Sequence, residues 1–401
     1  MWQSVLDRML RSFLRHGALT IRYPDGRIVQ YGSGEGPCVA IRDDATLRRI
    51  ALDPQLAVGE AYMDGTLTID GDDLHGFLET AVRNTAAPDP ARWYRLREAA
   101  GSVVSPLRQL NGLRRSRANV AHHYDLTPAL YDLFLDADKQ YSCAYFRDPG
   151  NTLEKAQSDK KHHIARKLCI QPGMRVLDIG CGWGGMALTL ARDYGAKVVG
   201  ITLSEEQLAI ARTRAHRAGL AGQVEFRLQD YRNVSESFDR VVSVGMFEHV
   251  GRPNYGAYFR VVRDRLTEDG IALIHTIGHA APSAPSNAWI RKHIFPGGHV
   301  PSMSEVTPAI ERTGLRVADI ECWRLHYAMT LRHWFDRFTA RAAEAQAIHD
   351  ARFVRMWKFY LAACEATFRC GRNDVWQFQL SRRTDAAPIT RDYLYGPQPG
   401  A

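Results

Sequence analysis

Val176-Leu177-Asp178-Ile179-Gly180-Cys181-Gly182-Trp183-Gly184-Gly185 is an apolar run that passes directly into four glycines within six residues. It reads as a buried strand, a glycine-rich turn and the start of a helix. Glycine lets backbone approach a ligand that a β-carbon would hold off, and sheets of parallel strands bind ligands beyond their carboxyl ends. A nucleotide-like cofactor is expected there. Outward from this point, apolar runs at 175–179, 197–201, 224–228, 239–244 and 271–277 alternate with helical patterns at 187–193 and 205–218. Such alternation predicts an α/β fold, a mostly parallel Rossmann-like sheet with helices on both faces. Two long helical patterns and a final strand, Val375 to Arg383, follow toward the C-terminus.

The 401 residues exceed the roughly 250 to 300 that one core usually sustains, so two domains are expected. We place a smaller N-terminal α+β domain at 1–85, a basic linker at 86–118 and the catalytic domain at 119–401. With 45% hydrophobic and 24% charged residues the chain is not mainly disordered. No run approaches the ~20 apolar residues of a membrane span, and the charges that interrupt residues 1–17 make a signal peptide unexpected there. The seven cysteines, at 38, 143, 169, 181, 322, 364 and 370, form no CxxC pair. That pattern predicts a reducing cytoplasm and no metal site. The net charge of +8 favours an anionic partner. With no helix-turn-helix, zinc or RNA-binding signature, nucleic acid is not expected, and anionic phospholipid accounts for the charge.

At the N-terminus, Trp2, Val5, Leu6, Met9, Leu10, Phe13 and Leu14 share one helical face, opposite Arg8, Arg11 and Arg15. Two readings stay open: a helix lying on an anionic membrane, or one covering its own domain's core. Residues 19–32 read as a hairpin around Pro24-Asp25-Gly26, with further short strands up to Ile69.

Gly180, Gly182 and Gly185 also match the GxGxxG spacing of dinucleotide-binding proteins. A nicotinamide enzyme would usually place an acid at the end of the second strand, where Thr202 stands here. The D-I-G-C-G-x-G form resembles the S-adenosylmethionine-binding motif of class I methyltransferases. This implies that Asp178 faces the cofactor's ammonium and that Gly180, Gly182 and Gly184 let backbone pass its methionyl part. Thr202 and Gln207 belong to the same site, although Ser204 and Gln207 also have the spacing of a capping box. Gln229 and Asp230 supply an amide and a carboxylate for the adenine amino group, or simply a turn.

Five segments make the match more specific: HHYDL with YSCAYF (122–146), VLDIGCGWGG (176–185), VSVGMFEHVG (242–251), HTIG (275–278) and WIRKHIFPGG (289–298). Through them the chain resembles the cyclopropane-fatty-acid synthase family over nearly all of 119–381. The resemblance implies a class I methyltransferase fold, a lipid-facing pocket and S-adenosylmethionine as methyl donor. It also implies a bound bicarbonate ion as base, held by Cys143, Glu248, His275, the backbone of Ile277 and Tyr327. Tyr141 and Ser142 match positions beside the cofactor's carboxylate. Cys364 matches a cysteine discussed as catalytic, but its apolar helix with no adjacent base suits a structural thiol. Each residue also has an ordinary reading: Cys143 as a small hydrophobe, Glu248 at a helix start, His275 in a core, Tyr327 in packing. The aromatic residues Tyr124, Tyr131, Phe134, Tyr141, Tyr145, Phe146, Trp183 and Phe247 surround these motifs, as pocket wall or as π faces for a cation.

The activity so implied is cyclopropane-fatty-acyl-phospholipid synthesis: transfer of a methylene unit to the double bonds of unsaturated phospholipids at the inner membrane surface. The enzyme would be cytoplasmic and peripherally membrane-associated, with a homodimer among its expected assemblies. Methyl-branching or methylene formation on the same scaffold, an oxygen or nitrogen methyltransferase on a small molecule, and a non-catalytic lipid-binding protein remain the alternatives.

Overall fold

The computed structural model describes residues 1–91, 93–94, 127–282, 287–296 and 298–395. The basic linker beyond Tyr94, and the segment 122–126 with Tyr124, lie outside the described residues. The chain forms two compact units. Among the described residues, one comprises those within 1–94, 287–296 and 327–373, and the other those within 127–282, 298–326 and 374–395.

In the first unit, strands β1 (Ala18–Arg22), β2 (Ile28–Gly32), β3 (Cys38–Ile41) and β4 (Leu67–Ile69) form a sheet in the order β2-β1-β3-β4. The expected hairpin is present as the antiparallel pair β1 and β2. The amphipathic N-terminal segment is the helix Trp2–Phe13, in which only Leu6 is fully buried. The helix Ala351–Arg369 belongs to this unit, whereas the sequence pattern assigns it to the catalytic domain. The reason is local: Phe359 packs on Tyr62 (5.7 Å between rings) and on Trp289 (4.8 Å). Arg355 also lies 4.4 Å over the Tyr62 ring. An apolar helix face goes where complementary surface exists, and here that surface includes the helix Pro54–Asp64.

The second unit holds a seven-stranded sheet of β5 (Arg175–Ile179), β6 (Lys197–Thr202), β7 (Val224–Leu228), β8 (Phe238–Val244), β9 (Leu266–His279), β10 (Arg316–Cys322) and β11 (Asn373–Ser381), ordered β10-β11-β9-β8-β5-β6-β7. From β7 to β9 each neighbouring pair is parallel, while β10 and β11 are antiparallel. Successive side chains alternate between two cores, as period-two pleating requires. Leu177, Ile179, Val199, Ile201, Val241, Ala272 and Ile274 meet the helices Tyr255–Arg265 and Met303–Glu311. Val176, Val198, Val242, Ile271 and Leu273 meet the helices Leu153–Lys167, Gly185–Tyr194 and Glu205–Arg217. Both faces are therefore covered, as the near-continuous apolar runs predict. The strand order reverses at β5, which has β6 on one side and β8 on the other, and the crevice beyond such a switch point is where these sheets bind ligands.

Candidate active site

A cleft opens beyond the carboxyl ends of β5, β6 and β8. Its lining includes Tyr141, Ser142, Asp178, Gly180, Gly182, Thr202, Gln207, Gln229 and Asp230. These are all the expected cofactor residues except Gly184. Gly184 instead precedes the helix Gly185–Tyr194, where a β-carbon would come within 2.6 Å of the Phe226 ring. It is a packing glycine. Gly180 and Gly182 have φ of +82° and +53°, a region that side chains disfavour, and a β-carbon on Gly182 would meet nothing within 4 Å. The space it would enter is that of the cleft.

Asp178 is the penultimate residue of β5, with 2% of its surface exposed, and its Oδ2 has no hydrogen-bond partner among the described residues. Burial pushes its carboxyl up to about 7. An unpartnered buried carboxylate suits a cationic ligand group, so the residue fits the ammonium of an amino-acid-bearing cofactor. Ser204 caps its helix by accepting the N–H of Gln207 at 3.2 Å. The reciprocal half of a capping box is missing, because the Gln207 side chain accepts the Thr202 hydroxyl at 2.9 Å. That bond leaves the Gln207 amide N–H₂ as a donor on the cleft wall. Asp230 binds the guanidinium of Arg232 through both oxygens at 2.8 Å, and Gln229 donates to the Asn233 carbonyl at 2.9 Å. Both therefore serve the turn as well as the cleft wall.

A second group of polar residues follows β8 and β9. Glu248, on the single turn Phe247–His249, accepts the backbone N–H of Ile277 at 2.6 Å. Its other oxygen is buried with no partner among the described residues, and burial raises the carboxyl to about 7. His275 is buried two residues earlier on β9, so its side chain and that of Ile277 share one face of the strand. Its Nδ1 meets the Gln377 amide at 3.1 Å, and its ring lies edge-on to Trp323 at 5.1 Å. Burial holds the imidazole well below its usual range, hence neutral. Cys143 is fully buried, its thiol donating to the Ala144 carbonyl at 3.3 Å. Tyr327 and Cys364 are in helices of the other unit. Tyr327 packs on Phe368 at 4.7 Å between rings, and burial pushes the Cys364 thiol up to about 12, which suits a structural thiol.

Sequence reasoning passed over the helix Leu153–Lys167. Its polar run shows no apolar stripe, yet Gln157, Lys160, Lys161, His163 and Lys167 are all buried. Gln157 donates to the Ser142 carbonyl at 2.9 Å and Lys160 to the Ser142 hydroxyl at 2.7 Å. His163 and Lys167 both hold Glu321, at 2.7 and 2.6 Å. Only the tertiary partners show why such residues lie inside.

Comparison with known proteins adds the decisive observation. The sequence model described as "Mycolic acid cyclopropane synthetase" matches residues 111–378. The chain belongs to this family. A second model, of a domain of unknown function, matches residues 5–87. The cyclopropane-fatty-acyl-phospholipid synthase of Escherichia coli K12 is 38% identical over 351 residues, 87% of this chain and 89% of that protein. A probable fatty acid methyltransferase of Pseudomonas putida is 36% identical, covering 89% of this chain and 90% of its own. Among solved structures, mycolic acid cyclopropane synthase CmaA1 complexed with SAH and CTAB superposes with a TM-score of 0.63 at 35% identity, over 66% of this chain and 97% of that one. Family membership thus agrees with the fold and with the glycine-lined cleft at the β5 switch point.

Proposed function

We propose that this member of the cyclopropane synthetase family is a cyclopropane-fatty-acyl-phospholipid synthase. S-adenosylmethionine, when bound, supplies an electrophilic methyl group on sulfur. Asp178, with its unpartnered oxygen, would take the cofactor's ammonium, while Gly180 and Gly182 would admit its amino-acid part. With that methyl donor bound, the alkene of an acyl chain would take the methyl group as the carbon–sulfur bond broke, leaving a carbocation on the chain. Loss of one proton from the new methyl group lets the second carbon–carbon bond close the ring.

The observation that carries this reading is Glu248, a buried carboxyl with one oxygen fixed by Ile277 and the other unpartnered among the described residues. A methyltransferase acting on oxygen or nitrogen need only remove a proton from that atom. Ring closure demands a proton acceptor where the methyl arrives, in a site from which water is excluded. Cys143, Glu248, His275 and the backbone of Ile277 would hold a bicarbonate ion, which would supply a base that cannot be lost by alkylation of a side chain. The fit rests on the free oxygen of Glu248. The Ile277 N–H is already donated to the carboxylate, so its share in the cradle requires Glu248 to move or to share that donor.

The test is mass spectrometry of phospholipids from cells expressing the protein with labelled methionine. A gain of one CH₂ unit with loss of the double bond supports cyclopropanation. Methylation with the double bond retained or moved would favour methyl branching.

The substrate reading carries a proposal about location. No helix among the described residues is long and apolar enough to cross a membrane, and the +8 charge suits docking on an anionic leaflet from the cytoplasmic side. Activity on anionic phospholipid vesicles is expected to fall as salt rises from 50 to 300 mM, because the Debye length shortens. A flat salt response would exclude electrostatic docking.

A further inference from the structure

On the helix Leu153–Lys167, Lys155 pairs with Asp159, Lys161 with Asp138 at 2.5 Å and Lys167 with Glu321 at 2.6 Å. Lys160 differs from all three. Its side chain is 0% exposed and its Nζ donates to the Ser142 hydroxyl at 2.7 Å, yet among the described residues no carboxylate stands within ion-pair reach. Asp136, the nearby acid, accepts the backbone N–H groups of Asp138 and Gln140 at 3.0 and 2.9 Å instead. An ammonium buried without a counter-charge is strongly unfavourable unless something supplies one.

Ser142 lies on the wall of the same cleft as Asp178. A hydroxyl that accepts from Lys160 still has its own proton to donate. The cleft is therefore backed by two buried charges of opposite sign, neither in a direct ion pair among the described residues: the Asp178 carboxylate and, through Ser142, the Lys160 ammonium, whose charge Asp136 offsets only from a distance. A zwitterion complements such a pair, with its ammonium on Asp178 and its carboxylate toward Ser142.

We propose that Lys160 is a positioning residue for the carboxylate of the cofactor's amino-acid part: it orients the Ser142 hydroxyl as a donor to that carboxylate and is its buried counter-charge. This rests on the reading of the cleft as an S-adenosylmethionine site. It extends that site by a residue outside the glycine motif.

The experiment is calorimetric titration of the full chain with S-adenosylhomocysteine and with its decarboxylated analogue, which keeps the amine and lacks the carboxylate. Lys160→Met is expected to weaken S-adenosylhomocysteine at least about tenfold, as loss of a charge-assisted contact does, and to leave the analogue within twofold. The thermal midpoint of the ligand-free variant should match or exceed that of the parent, since an apolar side chain of similar volume replaces a buried charge. Equal weakening of both ligands would show a role in shape alone and overturn the proposal, as would no weakening of either. Ser142→Ala provides the same test if Lys160→Met does not fold: it should also discriminate between the two ligands, and equal losses again overturn the assignment. If both variants fold, the double variant should be no worse than the poorer single one, because the two residues act in series. A parent protein that binds neither ligand would sink the cofactor reading itself, whereas a parent that binds both with indifferent variants sinks only the role of Lys160.

Discussion

Glu248→Gln is expected to lower turnover by roughly 10²- to 10⁴-fold, the range associated with loss of a proton-transferring group, while S-adenosylhomocysteine binds within a few-fold of the parent. Glutamine keeps the shape of the side chain, and its carbonyl can still accept the Ile277 N–H that the carboxylate accepts at 2.6 Å. A loss of rate then reports the ionisable group and not a collapsed turn. The cofactor should be little affected, because Glu248 is absent from the lining of the glycine-walled cleft. Single-turnover assays on vesicles of unsaturated phospholipid, paired with calorimetry, separate the two quantities. Full activity in the variant would remove Glu248 from the reaction.

The second large effect concerns Asp178. Asp178→Asn is expected to weaken S-adenosylhomocysteine by roughly 10- to 100-fold, since a hydrogen bond to a charged group contributes about 1.5 to 3 kcal/mol. The pH dependence has a definite sign. Burial raises the carboxyl from 3.8 to about 7 in the ligand-free protein, so its contribution to stability is fully present below about pH 4 and is lost as pH rises through 7. Cofactor affinity runs the other way, because only the ionised carboxylate pairs with an ammonium. Between pH 5.5 and 8 the parent should bind more tightly as pH rises while its ligand-free thermal midpoint falls. Both trends should flatten in Asp178→Asn. Glu248, also raised to about 7, adds a stability slope of the same sign, so the comparison is between variant and parent. A variant that retains the parent's pH profile would assign the slope elsewhere.

The two groups share a physical origin. Each is a carboxyl at or just beyond the carboxyl end of a strand, in water-poor surroundings, with one oxygen lacking a partner among the described residues. Neither condition helps the ligand-free protein, and both suit a site in which charge arrives with the ligand.

Much of this was legible in the residues. The near-continuous apolar runs at 175–179 and 197–202, together with their helical spacers, specified a sheet covered on both faces, and four glycines in six residues marked the turn. Nine of the residues expected around a cofactor line one cleft because local pattern and backbone geometry coincide: a positive φ at Gly180 can be read from glycine itself. Gly184 is not part of that lining, since a motif does not say whether a glycine faces a cleft or, as here, the Phe226 ring.

By itself, then, the sequence determined the α/β class, the strand that carries the site and the chemical types gathered near it, because these follow from side-chain periodicity and from residue types that few local structures tolerate. Only the tertiary structure decided which partners each buried polar group has. Lys160 and Lys161 are neighbours of one residue type, yet Asp138 forms an ion pair with one while the other donates to the Ser142 hydroxyl. Likewise, the apolar face of the helix Ala351–Arg369 could be read from its pattern, but not that Tyr62 and Trp289 would cover it. Both are settled by groups far apart in the chain, and no local pattern encodes a distance across a fold.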